Sequence, residues 1–144
     1  PNGLVFSCRR WTTEKYDDVS QFLAVKGTPI TLPKNIKETI TWAEMFSKEN
    51  KDNQVIVQLR KDQVRVLGEG ERGWSQDTHK AKYNGPNISF SIPPAVLAQT
   101  VDWSSRCEVK KGCLKITVGS FTYVTTLGTP EANAIDPTKG KTKK

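Results

Sequence analysis

Histidine is almost absent from this 144-residue chain. His79 is the single one, so any Ser-His-Asp constellation, and any histidine-containing zinc site, would have to pass through it. Its neighbours Thr78 and Lys80 offer neither a nucleophile beside an evident base nor a ligand at metal spacing, and the residue reads as a surface histidine on a strand. Cysteine is scarce too: Cys8, Cys107 and Cys113 are odd in number and none stands at C-x-x-C spacing, so no disulfide framework or metal knuckle is expected and the thiols are read as reduced and structural. No apolar run approaches membrane-spanning length, and no charged start leads into an apolar signal-like segment. The chain is therefore expected to be soluble and cytoplasmic, with no membrane partner. Aromatics make up only 8%, and Trp11, Trp42, Trp74 and Trp103 do not occupy alternate positions of one strand, as a base-stacking platform would require.

What the chain does have is positive charge and enough apolar residues, at 35%, for the core of one domain. The net charge is +7, and because the segment from Gly128 carries four lysines against Glu131 and Asp136, a charge of +5 remains on the body. A basic body favours a polyanionic partner without naming it.

The clearest ordered stretch runs from Asn87 to Leu127. Ile88, Phe90 and Ile92 alternate with Ser89 and Ser91, the period of a strand with one buried face. Pro93-Pro94 ends that strand and opens a helix over Ala95 to about Ser105, since a proline in the first helical turn sacrifices no intrahelical bond. Strands follow at Arg106–Val109, Leu114–Val118 and Phe121–Leu127, separated by Lys110-Lys111-Gly112 and Gly119-Ser120 turns. Residues upstream spell the same order. Pro29–Leu32 reads as a strand, and Pro33 opens a helix to about Glu49 that turns Ile36, Ile40, Ala43 and Phe46 inward. Gln54–Leu59 and Gln63–Leu67 form a hairpin, and a last strand falls within Thr78–Tyr83. Thr39-Ile40-Thr41-Trp42 even echoes Thr100-Val101-Asp102-Trp103. The expected fold class is α+β, built from tandem β-α-β-β-β repeats with two helices on one face of the sheet, repeat one spanning 28–86 and repeat two 87–127. Residues 1–27 are expected to hold the last strand of a preceding domain (Leu4–Cys8) plus a connector, and 128–144 a disordered basic tail.

Two motifs invite an enzymatic reading. Gly68-Glu69-Gly70-Glu71-Arg72-Gly73 matches G-x-G-x-x-G, yet no helix start follows it and its glutamates would repel a pyrophosphate, so it reads as a loop between strands. The carboxylate pairs Asp17-Asp18 and Glu69/Glu71 read as solvated charges. Neither catalytic residues nor a metal or cofactor is expected, and the protein reads as a non-enzyme. The first helix offers more: opposite its apolar side it carries Lys34, Lys37, Thr41 and Lys48, diluted by Glu44, while the second helix carries Ala98, Gln99, Asp102 and Arg106.

The doubled unit resembles one domain of the DNA polymerase sliding clamps, with the C-terminal domain of the bacterial or phage-type clamp as the nearest match. Asn87–Ile92 followed by Ala95-Val96-Leu97 is similar to that family's strand-then-helix entry, Phe121–Leu127 to its closing strand, and Val55–Leu67 to the hairpin between. Tyr16-Asp17-Asp18-Val19 stands where the family has its inter-domain connector. The resemblance implies a ring-forming processivity factor, a homo-oligomer that encircles duplex DNA with helices lining the hole, on one side of a continuous sheet. Lys34, Lys37, Lys48 and Arg106 would face the phosphates without reading sequence. It also implies a pocket for a short peptide from the polymerase or another clamp-binding partner, bordered here by Tyr16, Val19, Ile92, Tyr123, Val124, Thr125 and Thr126. Threonine stands at 125 and 126 where the family often has valine and methionine, and Asp17-Asp18 replaces basic residues. Two other readings compete: a free-standing basic nucleic-acid-binding α+β module, and a structural or assembly protein associating through sheet edges.

Overall fold

The computed structural model describes Gly3, Val5, Ser7, Cys8 and residues 18–130. Both repeats are present in order. The first comprises β1 (Thr28–Thr31), α2 (Ile36–Ser47), β2 (Val55–Arg60), β3 (Gln63–Gly70) and β4 (Gly73–Lys80), preceded by the one-turn helix α1 (Ser20–Leu23) and followed by the two-residue β5 (Lys82–Tyr83). The second comprises β6 (Ile88–Ile92), α3 (Pro94–Trp103), β7 (Arg106–Lys110), β8 (Cys113–Val118) and β9 (Phe121–Thr126).

The strands form two antiparallel sheets, where the resemblance implies one continuous sheet. One has the order β5-β1-β7-β8-β9 and the other β4-β3-β2-β6. The repeats thus exchange their first strands: β1 pairs with β7 of the second repeat, Ile30 opposite Cys107, and β6 pairs with β2 of the first, Phe90 opposite Val57. This exchange binds the two units into one core. Ile30, Val55, Val57, Leu59, Val64, Val66, Phe90, Ile92, Val109, Leu114 and Ile116 fill it from the sheets, and Ile36, Ile40, Ala43 and Leu97 from the helices. Apolar burial on this scale supplies the dominant stabilisation.

Each helix forms because its apolar residues recur at helical spacing. In α2 the buried residues are Ile36, Thr39, Ile40, Ala43 and Ser47; Phe46, expected inward, is only partly buried. Pro33 does not start α2 but shapes the turn before it, where its carbonyl accepts the Ile36 N–H at 3.2 Å. Pro94 does occupy the first turn of α3. The two helices lie side by side, joined by a Lys37–Asp102 ion pair between half-exposed side chains.

The glycines of Gly68–Gly73 are explained by packing. α2 rests so closely on β3 that a Cβ on Gly68 would collide with the Ala43 carbonyl oxygen, and one on Gly70 with that of Phe46. The stretch is not an open loop. It forms the end of β3, a two-residue turn at Glu71-Arg72, and the start of β4, which is hydrogen-bonded along its length from Gly70↔Gly73 to Gln63↔Lys80. Glu49, just beyond α2, clasps this turn by accepting the Arg72 N–H at 3.0 Å and pairing with its guanidinium at 3.1 Å.

At the N-terminus, Val5, Ser7 and Cys8 belong to no strand and Val5 is exposed; Leu4 and Phe6 lie outside the described residues. At the other end Gly128 exchanges both backbone hydrogen bonds with Ser91, each 2.9 Å, so the fold extends past Leu127; residues 131–144 lie outside the described residues. The Gly68→Ala substitution is expected to lower unfolding stability by about 1–3 kcal/mol, because the intruding methyl meets backbone that cannot move alone. Urea denaturation measures this, and an unchanged midpoint would show that α2 does not seat on β3 in this way.

Candidate nucleic-acid and peptide interfaces

The outward side of α2 carries Lys37, Thr41 and Lys48, all exposed, with Lys34 exposed in the turn before the helix. Lys37 is committed to Asp102 of α3, and Lys48 to Glu44 one turn back at 3.3 Å. Such exposed pairs contribute little to stability, but they mute the positive field of the face. Among the described residues Lys34 makes no ion pair. Arg106 is not on this face. α3 ends at Trp103, and Arg106 opens β7 directly opposite Thr31. The helical projection that grouped it with Asp102 overran the helix. Residues directly opposed in a sheet share a face, and every second residue along a strand returns to it. Arg106 therefore lies on the face of the five-stranded sheet away from the core, with Thr31, Lys82, Glu108 and Lys115.

The residues expected to border a peptide pocket divide in the same way. Tyr16 lies outside the described residues. Ile92 is fully buried, paired with Val55 in the other sheet, and cannot border an open pocket; its apolar side is claimed by the core. Tyr123 and Thr125 lie on the core side of β9, opposite Ile116 and Leu114. There Tyr123 and Phe121 pack edge-on against Trp103, with ring centroids 5.0 and 5.4 Å away. Val124 and Thr126 lie on the outer side, opposite Lys115 and Cys113. The connector comes to this outer side: α1 rests against β9, Lys115 Nζ donates to the Val25 carbonyl at 3.1 Å, and Glu108 accepts the Gly27 N–H at 3.1 Å. Val19, Phe22 and Leu23 remain exposed beside it. The structure thus sets the connector helix that follows Val19 against β9, whose outer side carries Val124 and Thr126. Glu108 and Lys115, which anchor the connector, escape a reading of hydrophobic pattern because they act as polar ties on an otherwise solvated strand face.

His79 is more occupied than a surface histidine would be. Its ring lies between Asn35, Thr39 and Asp77: Asn35 Nδ2 donates to Nδ1 at 3.3 Å, and Nε2–H donates to Thr39 Oγ1 at 2.6 Å while that hydroxyl donates to Asp77 Oδ2 at 3.1 Å. We assign this tautomer from the network. A Ser-His-Asp relay needs the carboxylate on one ring nitrogen and the hydroxyl on the other. Here both crowd Nε2, with Asp77 Oδ2 at 3.2 Å, so the cluster ties α2 to β4 and has no geometry for activating a nucleophile. Among the described residues no three His, Cys, Asp or Glu side chains are grouped as a metal site. No helix among them is long and apolar enough to cross a membrane. The cysteines are free thiols.

No family model matches the sequence, and no curated protein does. Solved structures do match. A DNA polymerase sliding clamp from Pseudomonas aeruginosa superposes with a TM-score of 0.67 at 13% identity, over 83% of this chain and 36% of that one. The fold is that of a sliding-clamp domain. A DNA polymerase III subunit beta from Borrelia burgdorferi gives a TM-score of 0.66 at 14% identity over 82% of this chain and 35% of its own. A DnaN sliding clamp from Bartonella birtlesii, bound to griselimycin, gives 0.62 at 13% over 83% and 35%. This chain spans about a third of the length of the clamps it matches.

Burial pushes the Cys107 thiol up to about 12, with the Glu108 carboxylate adding to the effect. A thiol held protonated by the fold contributes stability that is complete below the unfolded-state value near 8.5 and is lost as pH rises toward 12. Between pH 9 and 11, Cys107→Ala should flatten the alkaline loss of stability by up to about 1.4 kcal/mol per pH unit relative to the parent chain. Urea unfolding at stepped pH measures this, and identical slopes would contradict it.

Proposed function

We propose that this chain is a non-enzymatic sliding-clamp domain that helps a ring encircle duplex DNA and tethers a polymerase or other partner through a peptide site. The doubled β-α-β-β-β unit, with α2 and α3 side by side on a common surface and overlapping the clamps across most of its length, carries the reading. Encirclement requires only weak, sequence-independent attraction at the helices. Lys34, Lys37 and Lys48, partly neutralised by Asp102 and Glu44, suit contacts that must slide rather than grip.

Ring closure would use the edges. Among the described residues β4 pairs only with β3, and β9 only with β8, leaving backbone hydrogen-bonding groups free along one edge of each sheet. Trp42 shares a cavity with Ser75–Asp77 of β4, with exposed Met45 on the same helix, while Phe121 at the start of β9 is exposed along with Val118 opposite it and Trp103 packed against it. An unpaired edge beside exposed apolar side chains is what strand pairing between clamp domains would bury.

For the peptide partner, the surface is the outer side of β9 beside the connector, with Val19, Val124 and Thr126. Titrating the peptide Gln-Leu-Ser-Leu-Phe into the isotope-labelled chain tests it. Backbone amides of Val19–Leu23 and Val124–Leu127 are expected to shift, and the Ile92 amide to stay in place. A Val124→Glu variant, charged at a half-buried position on the outer strand face, should lose the response while keeping its fold, as circular dichroism can check. Shifts confined to other strands, or an unaltered response in the variant, would refute this placement.

A further inference from the structure

The charged side chains are sorted along the strands of the four-stranded sheet. At the β3–β4 turn, where α2 ends, stand Glu49, Asp52, Glu69 and Glu71, with Lys51 and the ion-paired Arg72. Opposite, at the β2–β3 turn and the strand ends beside it, stand Arg60, Lys61, Lys80 and Lys82, with the single carboxylate Asp62 in the turn.

The geometry ties this second group together. Arg60 pairs with Gln63, and Gln63 with Lys80. The Asp62 N–H donates to the Tyr83 carbonyl at 2.9 Å and its carbonyl accepts the Ala81 N–H at 3.1 Å, which holds the β2–β3 turn against the β4–β5 junction. Thr31 stands between Lys82 and Arg106 in the five-stranded sheet. One depression of about 490 Å³ is lined by Lys61, Lys80 and Lys82 with Leu32, Pro33 and Ala81; a second, of about 390 Å³, holds Lys82, Arg106 and Lys115. They meet at Thr31 and Lys82, so the cations form a track rather than a point.

All of these cations except Lys115 are exposed, and among the described residues none of them makes an ion pair. Of the two carboxylates in the linings, Asp62 and Glu108, the second is engaged with the Gly27 N–H. The contrast with α2 is direct: there Lys37 and Lys48 are each matched by a carboxylate.

We infer that this cationic end, on the outer side of the five-stranded sheet and the neighbouring turns, is a second contact surface for the phosphate backbone of duplex DNA, separate from the helix face. A phosphodiester backbone needs only positive charge along a track. A protein partner would also need an apolar anchor. None of the exposed large apolar side chains among the described residues, such as Trp42, Met45, Trp74, Trp103, Val118 and Phe121, lines either depression. Lysines predominate, and as point charges without a fixed planar fork they hold phosphate without selecting sequence. In a ring, such a track would hold DNA outside the hole against one end of the domain, and the acidic opposite end would repel it. The inference shares the DNA partner of the clamp reading but needs no ring.

Fluorescence anisotropy of a labelled 20-base-pair linear duplex tests it, with the full chain titrated at several salt concentrations. The variant Lys61→Gln/Lys80→Gln/Lys82→Gln should bind at least about tenfold more weakly at low salt, with a salt slope smaller by two to three, as expected for three lost phosphate contacts at about 0.9 each. A charge-matched control, Lys26→Gln/Lys110→Gln/Lys111→Gln, removes three lysines that line a different depression. It should change affinity less than about twofold, and circular dichroism checks that both variants fold. Equal losses would show that only net charge matters and overturn the inference. No binding by the parent chain at low salt would overturn it too, while leaving the clamp reading intact, since encirclement does not require affinity for an open duplex. A poly-glutamate peptide that binds the same end more tightly than the duplex would overturn it in favour of an acidic protein partner.

Discussion

The close seating of α2 on β3 is the contact on which the rest of this structure depends. Gly68 and Gly70 remove the side chains that would hold the helix away, so the carbonyls of Ala43 and Phe46 lie where Cβ atoms would otherwise be. That approach lets Ile36, Ile40 and Ala43 reach the layer formed by Val64 and Val66 and places Thr39 against Asp77 and His79 of β4. With α2 set at this height, α3 can lie beside it, and Lys37 and Asp102 meet across the gap. A bulkier residue at either glycine would lift one helix and split the shared surface.

The exchange of first strands between the two repeats makes this arrangement one unit. Because β1 belongs to the sheet of the second repeat and β6 to that of the first, neither repeat can close its core alone. The duplication is thereby interlocked. Among the described residues it also leaves β4 and β9, each at one edge of its sheet, with an unpaired side. The charge pattern adds a direction to this symmetric frame: carboxylates gather where α2 ends and unpaired lysines where it begins, so the two ends of the strands are electrostatically unlike.

Much of this was legible in the sequence, for identifiable reasons. Ile88–Ile92 alternates because one face of β6 is buried, and Pro93-Pro94 marks the junction to α3 because a helix start tolerates proline. β4 was recognisable only at its end. As an edge strand it has burial on neither face strong enough to impose a hydrophobic period, so Trp74-Ser75-Gln76-Asp77 carries no strand signature. The glycines before it resemble a nucleotide loop because tight helix–strand packing and close phosphate approach both demand a missing Cβ. Arg106 was misplaced because helical periodicity continues on paper after Trp103, whereas the chain at Ser104 is already extended. The resemblance implies Ile92 at the pocket, whereas β6 joins β2 in the four-stranded sheet and Ile92 turns into the core.

The side-by-side placement of α2 and α3 is the central claim, since a clamp domain must present both helices to the same DNA. Cysteines introduced by Lys37→Cys and Asp102→Cys, in a chain whose native cysteines are replaced, can be challenged with a short bis-maleimide at low protein concentration. The account predicts rapid crosslinking within one molecule, abolished in denaturant. Absence of the intramolecular crosslink, in a chain that still melts cooperatively, would mean that the helices do not share a surface and that the clamp reading is wrong.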